Sequence, residues 1–295
     1  MIAVDWGTSN FRAYRVAAGG GVVDVRTAPL GILAVAPGRF ASVLDEHVAD
    51  WLADGAGPVV MCGMVGSRQG WVEVPYVPSP AGLAEIAAGA QRLRVNAATS
   101  GLILPGVCCR DAAGVLDVMR GEEIQILGAL DAGGDGVYCL PGTHTKFAMV
   151  AGQQIVSFRT FMTGELFDVL CRHSILAKTM DRLDGTDDAA FADGVRRARA
   201  GGALLHDLFG VRTRALFGEL PSAAAASYLS GLLIGHELRD AAPAGHVTVL
   251  ASERLAALYA RALALAGVEY TLPDPVRALT RGCAAILALL REGGH

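Results

Sequence analysis

Asp5 is a carboxylate at the end of an apolar run, Met1 to Val4, and Gly7-Thr8-Ser9-Asn10 follows almost at once. Such a carboxylate can hold a hydrated Mg²⁺, and a hydroxyl-rich turn with outward-facing amides can hold phosphate oxygens. The same residues also suit a plain hairpin turn, where Asp, Gly and Asn serve only their local conformations. Recurrence favours the first reading. Tyr138 to Leu140 is again a short strand-like run, Gly142-Thr143-His144-Thr145-Lys146 follows, and Phe147 to Val150 is apolar. The flanks repeat too. Gly19-Gly20-Gly21 leads to Val22–Thr27, and Gly152-Gln153-Gln154 leads to Ile155–Thr160. Each copy reads as strand, phosphate-type turn, strand, hairpin, strand. Two such halves could clamp a nucleotide from both sides.

Two further stretches carry chemistry. Gly63 to Trp71 contains three glycines with Gly66, Ser67, Arg68, Gln69 and Trp71 in sequence, after the apolar run Val59–Cys62. Open α/β sheets place ligands at the carboxyl ends of such strands. An arginine there is a natural partner for a substrate carboxylate, because its fork binds one bidentately. The alternative is a plain surface loop. Farther on, Gly121 breaks the chain, and Glu122 and Glu123 open a helix whose apolar face is Ile124, Leu127 and Leu130. Acids in a first turn often do no more than complement the helix dipole. Glu122 could instead take the proton from an attacking hydroxyl. Neighbours on a helix point about 100° apart, so only one of the pair can face a site. The base stays open among Glu122, Glu123 and Asp117.

These residues need elements to position them. Apolar spacing predicts helices over Phe40–Ala53, Leu83–Leu93, Met162–Cys171, Ala223–Leu238 and Pro275–Arg291. Strands are expected at Val59–Cys62, Gly101–Val107 and His246–Ala251, with Ser252 capping a helix over Glu253–Leu265. Asp181–Asp193 reads as an acidic surface connection or mobile flap. The 295 residues suffice for two cores, and 52% hydrophobic against 18% charged content describes a folded chain rather than a disordered one. No apolar run reaches the roughly 18 residues that a membrane span needs. Asp5 sits where a signal peptide would carry its basic and apolar segments. A net charge of −4 without a basic tract argues against nucleic acid as a partner. The six cysteines form no CxxC pair, so reduced thiols in the cytoplasm are expected.

The duplicated turn, the Gly121-Glu122-Glu123 helix start and the run Met162-Thr163-Gly164-Glu165-Leu166-Phe167 resemble the 2-dehydro-3-deoxygalactonokinase family. The resemblance spans nearly the whole chain. It implies an α/β, two-domain duplicated ribonuclease-H-like fold of the actin/hexokinase type with an interdomain cleft. The division expected is 1–125, with the first turn and the sugar-acid site, and 126–295, with the second turn and the adenosine site. The last helix is expected to pack across the junction. The implied activity is ATP-dependent phosphorylation of 2-dehydro-3-deoxy-D-galactonate at its 6-hydroxyl, with Mg²⁺. In that reading Asp5 anchors the metal and Glu122 is the base. Gly7, Thr8, Ser9, Asn10, Gly142, Thr143, His144, Thr145 and Lys146 hold the phosphates, and Gly66, Ser67, Arg68 and Trp71 hold the sugar acid. Adenosine would sit at the strand-to-helix unit around Ser252, where Ala251-Ser252 replaces the family's glycine. The partner is a small sugar acid, with neither nucleic acid nor membrane, in a chain that could form a homo-oligomer. The rivals are an exopolyphosphatase-type hydrolase and a sugar-sensing regulator. The regulator would need an added helix-turn-helix segment, for which a chain starting on its first strand leaves no room at the N-terminus.

Overall fold

The computed structural model describes residues 1–183 and 187–292. Two compact units divide the chain, one of Met1–Asp135, Ala148–Phe158 and Pro273–His295, the other of Gly136–Phe147 and Arg159–Leu272. The expected division falls instead at 125/126, inside a helix that the packing described below keeps whole.

In chain order the first unit holds β1 (Ile2–Trp6), β2 (Phe11–Val16), β3 (Val22–Ala28), α1 (Phe40–Ala53) and β4 (Val59–Cys62). It continues through β5 (Val77–Pro78), α2 (Leu83–Ala88), β6 (Gln91–Arg94), β7 (Ser100–Ile103), β8 (Val107–Arg110) and β9 (Leu116–Met119). Then come α3 (Glu122–Gly128) and α4 (Leu130–Gly133). Next are β10 (Gly136–Leu140), β11 (Thr145–Ala151), β12 (Gln154–Phe161), α5 (Thr163–His173), α6 (Asp188–Arg199), α7 (Leu204–Leu216) and α8 (Ser222–Ala241). The chain ends with β13 (Val247–Val249), α9 (Glu253–Ala266), β14 (Tyr270–Thr271) and α10 (Pro275–Glu292).

The duplication read from the turns is a duplication of sheets. Among the described residues one sheet has the order β3-β2-β1-β4-β7-β6 and another β12-β11-β10-β13-β14. In both, the first strand of the copy lies beside the second, and its other edge pairs in parallel with a later strand, β4 or β13. The first strand is therefore central and apolar on both faces, and only its tip is free to carry a polar group. Ile2, Ala3, Val4 and Trp6 are fully buried, with Trp6 against Phe11 and Phe40. The equivalent core of the second unit gathers Val137, Cys139, Phe191, Val249 and Leu263.

Several local expectations shift. The helix predicted over Leu83–Leu93 stops at Ala88, and Gln91–Arg94 is an edge strand paired antiparallel with β7. Gly101–Val107 is not one strand: β7 ends at Ile103 and β8 starts at Val107, around Pro105 and Gly106. Of the acidic stretch Asp181–Asp193, residues 184–186 lie outside the described residues, and Asp188 onward is α6, capped when Asp187 accepts from the Ala190 N–H. Ser252 does stand at the cap of α9, without a side-chain cap bond.

One packing contact sets the position of α3. A Cβ on Gly128 would lie 1.9 Å from the Ala278 carbonyl oxygen, and one on Gly282 would lie 2.3 Å from that of Ile124. The backbones of α3 and α10 thus touch, and α10 also packs on α2 and β1. All six cysteines are free, and all but Cys108 are buried. No helix among the described residues is long and apolar enough to cross a membrane.

Candidate active site

β1 carries Asp5 to the sheet's carboxyl edge, opposite Cys62 of β4. Its carboxylate pairs with Arg12 Nη1 at 3.2 Å and is partly shielded. Burial pushes the Asp5 carboxyl above its ordinary range, Arg12 opposes that, and the negative charge of Glu122 adds to the upward shift. Gly63, directly after β4, has φ +90, and a Cβ there would lie 3.3 Å from Asp5 Oδ1 and 2.9 Å from the Trp6 carbonyl. Gly121 has φ +112, and its Cβ would lie 3.2 Å from Gly63 Cα. Two glycines in conformations that side chains resist thus bring the ends of β1 and β4 against the start of α3.

The two acids of α3 separate as the helix geometry requires. Glu123 is fully buried, and the Gly121 N–H donates to both of its oxygens, at 2.9 and 2.7 Å. Burial raises its carboxyl to about 8, the charge of Glu122 adds to this, and the backbone bonds and Arg120 oppose it. Glu122 is half-buried and accepts from the Arg120 N–H at 3.0 Å. Asp117 lies on β9, where its Oδ1 accepts from the Val118 N–H.

Each turn is backed by a glycine placed three residues after the third strand of its copy. Gly7 donates to the Asn10 carbonyl, closing the first turn, and its own carbonyl accepts from Ile32 at 3.0 Å. A Cβ on Gly31 would lie 2.1 Å from the Thr8 carbonyl oxygen. In the second turn the Thr143 carbonyl accepts from the Glu165 N–H at 2.9 Å, and a Cβ on Gly164 would lie 2.3 Å from the Gly142 carbonyl oxygen. Carbonyls therefore face the brace. The amides of Thr8, Ser9, Asn10, Thr143 and His144 have no acceptor among the described residues, and all five residues are exposed. Runs of unpaired amides of this kind make anion-binding concavities.

The second turn opens on a cavity of about 640 Å³, within the roughly 300–1,000 Å³ range of small-molecule sites. Gly142 and Thr143, Thr163 at the start of α5, Leu233 of α8, and Ser252 and Leu255 at the start of α9 line it. The strand-to-helix unit expected to meet adenosine is thus part of its wall. Behind the wall a buried chain of polar groups runs from Thr145 to Tyr259 at 2.9 Å, then to Glu237 at 2.7 Å, and on to the Thr163 hydroxyl. Burial raises Glu237 to about 7 against the pull of those hydrogen bonds.

Several expected contacts need correction. Thr145 and Lys146 are both buried in β11, unlike the exposed turn before them, and the Thr145 hydroxyl is engaged by Tyr259. The His144 ring is engaged by Glu165. In the Gly63 loop, Gly66 is buried and the Ser67 hydroxyl donates to the Met64 carbonyl at 2.7 Å. Trp71 stacks on Phe40 and joins the core. Arg68 alone of these four is exposed, and it has no partner among the described residues. The reading missed Arg120, because an arginine before a helix start looks like surface charge. It is 8% exposed, with Nη2 donating to the Val74 carbonyl and its guanidinium 4.2 Å from the Tyr76 ring.

No group of three or more His, Cys, Asp or Glu is arranged to hold a metal ion among the described residues. Mg²⁺ on a polyphosphate needs only one or two protein carboxylates. Asp5 fits that demand, because the negative charge of Glu122 and its own burial both disfavour its ionised form until a cation is present.

The paired sheets define a two-domain α/β fold of the ribonuclease-H-like, actin/hexokinase type. Residues 5–286 match the 2-keto-3-deoxy-galactonokinase family, and the chain belongs to that family. It is 40% identical over 292 residues to a Rhizobium meliloti protein named as a probable 2-dehydro-3-deoxygalactonokinase, covering 96% of this chain and 95% of that one. It is 37% identical over 274 residues to the 2-dehydro-3-deoxygalactonokinase of Escherichia coli, covering 92% and 91%. A solved structure of a Sinorhizobium meliloti protein described as a 2-dehydro-3-deoxygalactonokinase superposes with a TM-score of 0.89 at 39% identity, covering 98% of each chain.

Proposed function

We propose that the protein transfers the γ-phosphoryl group of ATP to the 6-hydroxyl of 2-dehydro-3-deoxy-D-galactonate, in the cytoplasm where ATP is available. The observation that carries the reading is the pair of braced turns, each offering unpaired amides, one beside a carboxylate cluster and one at the mouth of a nucleotide-sized cavity. Family membership supports the sugar acid as acceptor.

Phosphoryl transfer asks chiefly for in-line positioning and charge neutralisation. Amides of Thr143 and His144 are the donors for phosphate oxygens in the second unit, and those of Thr8, Ser9 and Asn10 are the donors in the first. Asp5 is the residue that would hold Mg²⁺, which when bound neutralises charge on the phosphates. Glu122 accepts the proton of the 6-hydroxyl as its oxygen bonds to phosphorus and the bond to ADP breaks. Glu123, sealed by the Gly121 N–H, keeps Glu122 turned outward. The acceptor lies at the loop that begins at Gly63, where Arg68 is the exposed cation.

A coupled ADP-release assay over a panel of 2-keto-3-deoxy sugar acids and plain hexoses tests this. ADP formation should require a sugar acid and be fastest with the galactonate compound. Equal turnover of hexoses, or phosphate release without any acceptor, would overturn it.

A further inference from the structure

Arg120 is a buried cation with an unfilled inventory. Its Nε and Nη1 are shut off from solvent and have no hydrogen-bond partner among the described residues. Only Nη2 is used, on the Val74 carbonyl at 2.8 Å. Among the described residues no carboxylate forms an ion pair with it: Glu122 takes the Arg120 backbone N–H, and the oxygens of Glu123, which acts on Arg120 only through its charge, are taken by Gly121. Unsatisfied buried donors on a cation ask for an explanation. Exposed Arg68 forfeits nothing when unpaired, because water serves it. Arg120 does.

The surroundings point at a ligand rather than at packing. Nη2 has a second N–H, so one edge of the guanidinium still offers two parallel donors, the geometry that matches a carboxylate. Gly66 lies against Nη1, where a Cβ would come within 2.9 Å. A glycine there keeps any side chain off the nitrogen that lacks a partner, with Ile103 packed equally close. The guanidinium face is covered by Tyr76, a residue exposed at the surface. The next two residues in the chain are Gly121, packed on Gly63, and Glu122. A carboxylate bound at Arg120 is thereby tied through three consecutive residues to the proposed base.

We propose that Arg120 receives the carboxylate of the sugar acid from beneath the Gly63 loop, with Gly66 keeping a side chain off it and Tyr76 as its cover. The proposal rests on the sugar-acid reading of the site and names the residue that makes the site select acids. Neutral hexoses would leave the guanidinium unpaired and so bind poorly.

The test is calorimetric binding of 2-dehydro-3-deoxy-D-galactonate, and of its uncharged carboxamide, to the full-length protein without ATP. The wild type should bind the acid at least about tenfold more tightly than the amide, the scale of one charge-assisted pair. Arg120→Lys and Arg120→Gln should lose that preference while ATP affinity is unchanged, and guanidinium chloride at millimolar levels should partly restore acid binding to a folded Arg120→Ala. Gly66→Ala, which crowds Nη1 and leaves the cation in place, should weaken the acid more than the amide. It supplies the answer if the Arg120 variants fail to fold. Undiminished preference for the acid in any folded Arg120 variant overturns the proposal, as does equal binding of acid and amide by the wild type. A wild type that prefers the acid but releases no ADP would sink the kinase reading alone.

Discussion

The two turns are built alike and furnished differently. In the first, the strand tip carries Asp5, which meets Arg12 and the charge of Glu122. In the second, the corresponding tip is Leu140, and the nearest acids are Glu165 on the His144 ring and Glu237 behind the wall. The backbone of each is held the same way, by a glycine too close to tolerate a side chain. Shared backbone with divergent side chains separates two jobs. In the proposed function the braced amides of either copy serve phosphate, and the carboxylates assigned to chemistry belong to one copy only.

The sharpest way to break this comparison is to remove charge from the first copy. Glu122→Gln keeps size and hydrogen bonding but cannot take a proton, so single-turnover transfer should fall about 10²–10⁴-fold with substrate binding largely intact. Asp5→Asn should lower kcat by at least about a hundredfold at nearly unchanged melting temperature. Glu123→Gln should leave the rate close to wild type. If Glu123→Gln is the inactive one, the base has been assigned one residue too early.

A second pair of variants probes what the copies share. Gly31 has φ −65, a conformation open to any residue, so steric contact alone forbids a side chain there. Gly31→Ala and Gly164→Ala should each cost about 1–3 kcal/mol of stability by overpacking. Gly164→Ala should also raise the KM for ATP several-fold. Denaturation curves and steady-state kinetics decide. An unchanged KM for ATP in Gly164→Ala would mean that the second turn does not hold the nucleotide.

The smallest effect concerns the buried acid behind the second turn. Glu237 lies at about 7 in the folded protein against an ordinary 4.5, so between those values the folded state holds a proton that the unfolded state has released. Stability should therefore fall as pH rises from about 4.5 to about 7, and level off above. Glu237→Gln should flatten that part of the profile, read as melting temperature against pH. A slope unaffected by the substitution would assign the dependence to other groups.

Much of this was legible in the chain because the signals are local. The strand–turn–strand copies follow from apolar runs and Gly-Thr pairs, and α1 spans the residues its spacing predicts. Thr145 was misread because the burial of a strand residue depends on what packs against it from far along the chain, here Tyr259 of α9. Trp71 was misjudged, and Arg120 missed, for a related reason. Nothing near them in sequence reveals that one reaches the core through Phe40 and that the other is covered by Tyr76. The bracing glycines were visible only as glycines. Their purpose lies in contacts across more than twenty residues.

The crossing of Gly128 and Gly282 bears on how the protein is made. α3 carries both acids at its start, yet the backbone pressed against α3 belongs to α10, far later in the chain. A nascent chain can form the β1–β2–β3 hairpins early, since those contacts are local. The contact that closes α3 against its neighbour waits for α10, so this part of the first unit is completed by residues distant in the chain.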